Sequence, residues 1–183
     1  MLYVELIAQG LVQGCIYASI ALGLTLVYGL LRILHVAHAA LFTLGAYVGV
    51  ITTNATGSLT LAFIAAMIVS GLAGVLVFRL GYKPILNRPP FVALIASIGL
   101  YIAAEEIFRI LFGASGISFA RPPLQTQVQL FGGLQFKQAE ILVMVGTALI
   151  IAVLAYLQNK TRLGVACQAT VSDPQMAESF GIS

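Results

Sequence analysis

Few side chains in this sequence could do chemistry, and most of them sit inside apolar runs. His35 and His38 stand three apart in Leu34-His-Val-Ala-His-Ala-Ala-Leu41. On a helix they would share a face, as metal ligands do, but no Cys, Asp or third His is near in sequence. A polar elbow between two spans is the better reading, and the titration range of histidine would also allow proton carriage. Glu105, Glu106 and Arg109 form a second group. Glu105 and Arg109 can pair at four residues, and Glu106 competes at three. The two carboxylates suggest acid–base work, but neighbouring helix positions point about 100° apart and do not converge on one atom. A charge in a span is a candidate for function, whereas a charge within a turn of the span's end can instead anchor it at the interface. Glu5, Gln9, Gln13 and Tyr17 recur every four residues and form one polar stripe. Such a stripe avoids lipid, so it either bonds to other helices or lines a solute route. Cys15 lies in an apolar run and Cys167 in a polar tail, which gives no disulfide framework.

The elements that hold these residues must be membrane helices. Of 183 residues, 60% are hydrophobic and 8% charged, with a mean hydropathy of +1.03. Soluble domains carry about 25% charge, so a soluble globular fold is excluded, and the abundance of apolar surface excludes disorder. The net charge of +3, from nine basic and six acidic residues, points to no nucleic acid. A helix needs about 20 apolar residues to cross the hydrocarbon. Five runs qualify, at residues 6–31, 39–53, 59–80, 91–112 and 139–157; the second is short enough to be tilted or re-entrant. A β-barrel would alternate polar and apolar residues, and runs such as residues 59–69 do not. The fold expected is an all-α polytopic bundle, with residues 1–157 as the membrane region and 158–183 as a polar tail. The start, Met1-Leu-Tyr-Val-Glu-Leu6, lacks the basic region of a cleavable signal, so the first span is expected to stay.

The punctuation between spans is legible. Thr53-Asn-Ala-Thr-Gly-Ser58 reads as a tight turn, residues 83–90 hold three prolines, and residues 113–138 form the longest loop. Arg32, Arg79, Lys83, Arg88, Lys160 and Arg162 fall on one face of the membrane, against Arg121 and Lys137 on the other. Six against two places the first group in the cytoplasm, the N-terminus outside and the tail inside. Gly10-x-x-x-Gly14 and Gly45-x-x-x-Gly49 fit close helix approach, within the chain or across a homodimer. In the tail, Leu163, Ala166, Ala169, Met176, Ala177 and Phe180 recur at helical spacing. Asp173-Pro174 reads as a helix start and Gly181 as a stop. A short helix over residues 174–180 is expected, with one apolar face able to dock in a partner's groove. No phosphate-binding loop, Gly-x-Ser-x-Gly elbow or His-Glu-x-x-His motif is present; no catalytic residue, cofactor or metal is expected, and the chain reads as no enzyme.

Three stretches resemble a known family: Gly10-Leu-Val-Gln-Gly14 with Tyr17-Ala18 and residues 21–29; Leu31-Arg-Ile33 with Ala37-His38 and Leu44-Gly-Ala-Tyr47; and Thr161-Arg-Leu-Gly164 with Ala166, Ala169, Asp173, Met176-Ala177 and Gly181-Ile182. Ile95-Ala-Ser-Ile-Gly-Leu100 and Arg109-Ile-Leu-Phe-Gly113 add to the likeness. The sequence is similar to the membrane permease subunits of bacterial branched-chain amino acid ABC transporters over almost its whole length. The resemblance implies an ATP-driven importer of branched-chain or related amino acids in the bacterial inner membrane. It also implies cytoplasmic ATPase subunits, a second permease chain in a homo- or heterodimer, and a periplasmic solute-binding protein facing residues 113–138. The third stretch would be the cytoplasmic coupling loop, with Asp173, Met176, Ala177, Phe180 and Gly181 meeting the ATPase. Gln9, Gln13, Tyr17 and His38 would line the translocation path. The family commonly reads Asn at His35, Gly-Glu at Ala39-Ala40 and amides at Glu105 and Glu106, and its members usually continue with further spans beyond the coupling loop. The alternatives are a permease for urea or short amides, a truncated non-transporting membrane protein, and an autonomous channel.

Overall fold

The computed structural model describes residues 2–31, 34–129, 135–172 and 174–179. Seven α-helices and one small hairpin appear among them: α1 Leu2–Leu31, α2 His38–Thr56, α3 Leu59–Val77, α4 Pro90–Phe112, α5 Gln138–Lys160, α6 Arg162–Ser172 and α7 Pro174–Ser179, with strands β1 Gln127–Gln129 and β2 Gln135–Lys137. Five helices are long and apolar enough to cross a membrane. Large apolar side chains such as Leu61, Phe63, Ile110 and Leu149 stand exposed along them, which suits a lipid solvent and no aqueous one. The chain divides into two compact units, Met1–Leu31 with Leu124–Ser183, and Arg32–Pro123.

In the first unit α1 lies against α5. Their contact includes a pair of polar groups, which help helices associate where lipid provides no drive for apolar faces to do so. The hydroxyls of Ser19 and Thr147 lie 2.9 Å apart. One gives its proton to the other, which gives its own to a carbonyl of its own helix, that of Cys15 at 3.0 Å or Val143 at 2.8 Å. The start of α5 is closed by Glu140, whose carboxylate accepts the Lys137 N–H at 3.0 Å and carries its negative charge in the first turn. Before it, β1 and β2 pair antiparallel with Val128 opposite Phe136. The expected long loop therefore contains a hairpin. Its strands of three residues are too short to reveal their alternation against the surrounding glutamines. The Gly132-Gly133 pair lies outside the described residues.

The end of α5 is a sharp corner. Thr161 leaves the helix with φ −116° and ψ 152°. Its hydroxyl donates to the Leu157 carbonyl at 2.6 Å and accepts the Gly164 N–H at 3.1 Å, so one side chain ends α5 and caps α6. Gly164 is buried. A Cβ there would collide with the Leu157 carbonyl and lie 2.6 Å from the Gln158 carbonyl oxygen. Both obstacles are backbone, so only glycine fits. The tail expected as one short helix is thus two helices, with α6 preceding α7.

In the second unit α2 and α3 form a helical hairpin. Gly57, at φ 70°, closes α2 through its N–H to the Thr53 carbonyl, and Ser58 caps α3. The expected turn at residues 53–58 shrinks to these two residues. Thr53 and Thr56 remain helical because their hydroxyls bond the Gly49 and Thr52 carbonyls at 2.8 and 2.7 Å. With 19 residues, α2 extends about 28 Å at 1.5 Å per residue, enough to cross. Asn54 holds the loop after α4, donating to the Ser118 carbonyl at 3.1 Å and accepting the Ala120 N–H at 2.9 Å. The third helix runs on past residue 80 through a π-helical turn, Phe78–Tyr82, and a 3₁₀ turn, Lys83–Ile85. Gly45 meets the α3 hydroxyl of Ser70, 3.0 Å from where its Cβ would be, whereas Gly10, Gly14 and Gly49 face open space. Of the two expected close-approach motifs, only the Gly45 position makes such a contact.

Replacing Gly164 by Ala should displace the corner and destabilise the first unit by about 1–3 kcal/mol, the usual cost of overpacking. Gly146→Ala, in open space on α5, should cost nothing. Thermal unfolding of the two variants in detergent, with proteolysis of the tail as a second readout, checks this; equal stability of both would contradict the steric account.

Candidate functional site

The most heavily buried polar cluster lies where α1 has ended and α2 begins. Residues 34–37 lead into α2 without regular structure. Such backbone within a membrane protein must be covered and its polar groups satisfied. At His35 and Ala37 both conditions hold. His35, Ala37 and Ala40 are buried, as are Tyr82 and Ser97, the last fully. The Ala37 N–H, which its own side chain cannot help to cap, donates to the Ser97 hydroxyl at 3.1 Å. His35 Nδ1 lies 2.6 Å from the Tyr82 hydroxyl, with the two rings edge to face at 5.1 Å. The π-helical turn carries Tyr82, and the extra residue of such a turn re-aims the side chains around it. Ser97 stands seven residues inside α4, about 10 Å from its start, so the start of α2 is recessed along α4.

His35 sits in this connection, not on a helix, and His38 is the first residue of α2. Their rings are 6.1 Å apart, but they do not share a helical face as the spacing would have it. Among the described residues no three His, Cys, Asp or Glu side chains gather for a metal ion. Burial, and secondarily the nearby His38, hold the His35 imidazole below its ordinary value of 6.5. Sequence reasoning found the polar elbow but missed its partners. The available signals were single hydroxyls, Ser97 and Tyr82, within apolar runs.

The other expected residues are dispersed. Gln9, Gln13 and Tyr17 stand exposed on α1 in the first unit, and Gln9 joins Glu5, Gln127, Lys137 and Glu140 around a polar cleft of about 400 Å³. His38 belongs to the second unit, where it borders a groove between α2 and α3 with Phe42, Met67 and Ser70. Of the coupling residues, Met176 is exposed and Ala177 is buried; Asp173, Phe180 and Gly181 lie outside the described residues. Between α1, α5 and α6 runs an apolar cleft of about 610 Å³ bordered by Leu26, Leu154, Leu157, Gln168 and Val171. Near the end of α4, Arg109 pairs with Glu106, Nε at 3.0 Å and Nη2 at 2.6 Å from its two carboxylate oxygens. The three-residue spacing wins over the Glu105 pairing because both guanidinium donors meet both oxygens of one carboxylate.

Five apolar helices, turns closed by hydroxyls and a covered elbow define a multi-pass α-helical membrane protein. More particularly, the chain belongs to the branched-chain amino acid transport system permease component family, whose pattern matches residues 6–183. It is 28% identical over 195 residues to the high-affinity branched-chain amino acid transport system permease protein BraD of Pseudomonas aeruginosa. It is 29% identical over the same length to the LivH permease protein of the corresponding Escherichia coli system. Each comparison covers 99% of this chain and 63% of the relative. A probable branched-chain amino acid transport permease protein of Methanocaldococcus jannaschii is 24% identical over 188 residues, covering 97% of this chain and 58% of that one. The chain therefore spans less than two thirds of these relatives. No solved structure matches it.

Ser97→Ala should leave the buried Ala37 N–H unpaired and cost about 1–3 kcal/mol, read as a lower midpoint of thermal unfolding. His35 resists protonation in the fold, so the unfolded chain binds more protons below pH 6.5, and stability falls as the pH drops through that value. The wild type should therefore melt earlier at pH 5.5 than at pH 7.5, and His35→Asn should flatten the difference. An equal pH dependence in His35→Asn would assign it elsewhere.

Proposed function

We propose that this chain is the permease part of an ATP-driven importer of branched-chain or related amino acids in a bacterial inner membrane. The observation that carries the proposal is the extent of the family match, which runs from α1 through α6 and α7 to residue 183. It covers the transmembrane helices and the segment beyond α5 together. On this reading α6 and α7 lie in the cytoplasm and receive the motion of ATPase subunits, while residues 113–138 face a periplasmic solute-binding protein. The corner at Thr161 and Gly164 supports the assignment. A hinge closed by two hydrogen bonds and sterically restricted to glycine transmits displacement from α6 to α5 instead of absorbing it. Met176, exposed on α7, is the anchor for the ATPase; Asp173, Phe180 and Gly181 flank it in sequence, and buried Ala177 holds the helix in place.

The exposed stripe of Gln9, Gln13 and Tyr17 supports the second half of the reading. Three polar side chains along one line of a span do not face hydrocarbon. A second permease chain, or further spans of the whole protein, would cover them and leave a polar lining for the solute. Alternating access then follows from biasing two arrangements of the spans, with ATP binding favouring one.

The full-length protein, assembled with its ATPase subunits and binding protein in proteoliposomes, tests this. Met176→Asp should lower ATP-driven leucine uptake at least tenfold while assembly is retained and hydrolysis continues. Unchanged uptake in a correctly assembled complex would refute the coupling role of α7, and absence of leucine uptake by the wild type would refute the substrate assignment.

A further inference from the structure

The second unit contains a cleft of about 270 Å³ between α2 and α4, bordered by Thr43, Tyr47, Tyr101, Glu105, Phe108 and Arg109. It is slightly below the range of drug-sized pockets, about 300–1,000 Å³, and so suits a smaller solute. Its lining combines two chemistries. The aromatic part is well fixed: Tyr47 stacks on Phe112 at 4.2 Å and meets Phe108 at 5.4 Å. Behind it Gly116, at φ 67°, leaves only 3.3 Å between an added Cβ and the Tyr47 hydroxyl. The lining also carries two opposite charges one turn apart on α4, the helix that supplies Tyr101 and Phe108 as well. The bidentate pair with Glu106 uses Nε and Nη2 of Arg109, which leaves the Nη1 donors of the guanidinium for another carboxylate. Glu105 stands beside that pair and borders the cleft. It lies seven residues before the end of α4, about 10 Å along the helix axis. A glutamate side chain is too short to reach the interface from there in the way that lysine or arginine does, and the cation one turn away, Arg109, gives its hydrogen bonds to Glu106 instead.

We propose that this cleft is a transient station for a zwitterionic α-amino acid on its way through the permease. Glu105 receives the ammonium group, the free edge of Arg109 receives the carboxylate, and the aromatic part formed by Tyr47, Tyr101 and Phe108 receives an apolar side chain. Adjacent opposite charges select a molecule that bears both charges on neighbouring atoms. An amine leaves Arg109 unanswered, and a carboxylic acid leaves Glu105 without its partner. The proposal deepens the amino-acid reading of the function and rests on it for the solute's identity, but the binding step is tested separately.

Ala114 borders the mouth of the cleft, and a thiol introduced by Ala114→Cys reports its occupancy. In full-length protein whose native cysteines, Cys15 and Cys167 included, are all replaced by serine, L-leucine should slow maleimide labelling of that thiol at least threefold. Isoamylamine and 4-methyl-2-oxovalerate, which each lack one charged group, should not. Glu105→Gln should raise the leucine concentration needed for protection at least tenfold, and Glu105→Asp should restore part of it. If leucine gives no protection, or if the amine or the oxo acid protects equally well, the station is overturned. These comparisons among ligands need no variant at Glu105, so misfolding of Glu105→Gln does not blunt them. ATP-driven leucine uptake by the wild type, measured in parallel, separates the two readings. Uptake without protection sinks the station alone, and protection without uptake upholds the station while removing the importer assignment.

Discussion

A bilayer interior offers no hydrogen bonds, and the rest of this structure follows from that. Each place where the chain leaves helical geometry has to supply its own partners. At residues 34–37 they come from other helices, through the Ser97 hydroxyl to the Ala37 N–H and the Tyr82 hydroxyl to His35. At the Gly57-Ser58 turn they come from a left-handed glycine and a serine cap. At the end of α5 a single threonine serves both helices. The helix contact between α1 and α5 uses the same resource, a pair of hydroxyls. Double-mutant cycles in a folded membrane protein place such interhelical bonds at about 0.6 kcal/mol each. Their value here is therefore positional: they fix where helices start, stop and touch, while burial in lipid keeps them helical.

How much of this was legible in the sequence follows the same division. Hydropathy over twenty residues reports the solvent, so five spans and an all-α membrane fold could be read directly from runs such as residues 59–80. The places where reading failed are those where a polar residue has two uses. Thr53 and Thr56 resemble turn residues by composition, yet their hydroxyls bond back to the helix and extend α2 to Thr56. Residues 83–85 look like a proline-rich connection, yet the backbone stays wound there in a 3₁₀ turn that follows the π turn of Phe78–Tyr82. Spacing left Glu105 and Glu106 as competing partners of Arg109, and donor geometry chose Glu106. Gly164 was visible only as part of a familiar tetrapeptide; its steric necessity appears once α5 and α6 meet at the corner. The elbow histidines were noticed, but Tyr82 and Ser97 come from residues 47 and 60 positions away, a distance no local pattern spans.

On the proposed function, rigidity and charge are what these constraints bring to transport. The Thr161 hydroxyl bonds to both α5 and α6, and the Ser19–Thr147 pair ties α5 to α1, the helix that carries the exposed stripe of Gln9, Gln13 and Tyr17. On that reading a push on α6 would reach the polar line on α1 within one compact unit. In the other unit, the recessed start of α2 sets its register along α4. That register places Thr43 and Tyr47 opposite Tyr101 and Glu105. A one-turn change in the depth of the elbow would dismantle that cleft, so the cap at Ser97 and the proposed solute station depend on each other geometrically.

The account as a whole depends on which side of the membrane the segment after α5 occupies. Cys167 is exposed on α6 and Cys15 is partly buried on α1, so replacing every other cysteine of the protein, Cys15 included, by serine leaves one reporter. A membrane-impermeant maleimide should label Cys167 in inside-out vesicles and leave it unmodified in sealed right-side-out vesicles until they are opened. Labelling from the outer face of sealed vesicles would place α6 and α7 away from any ATPase and contradict the account.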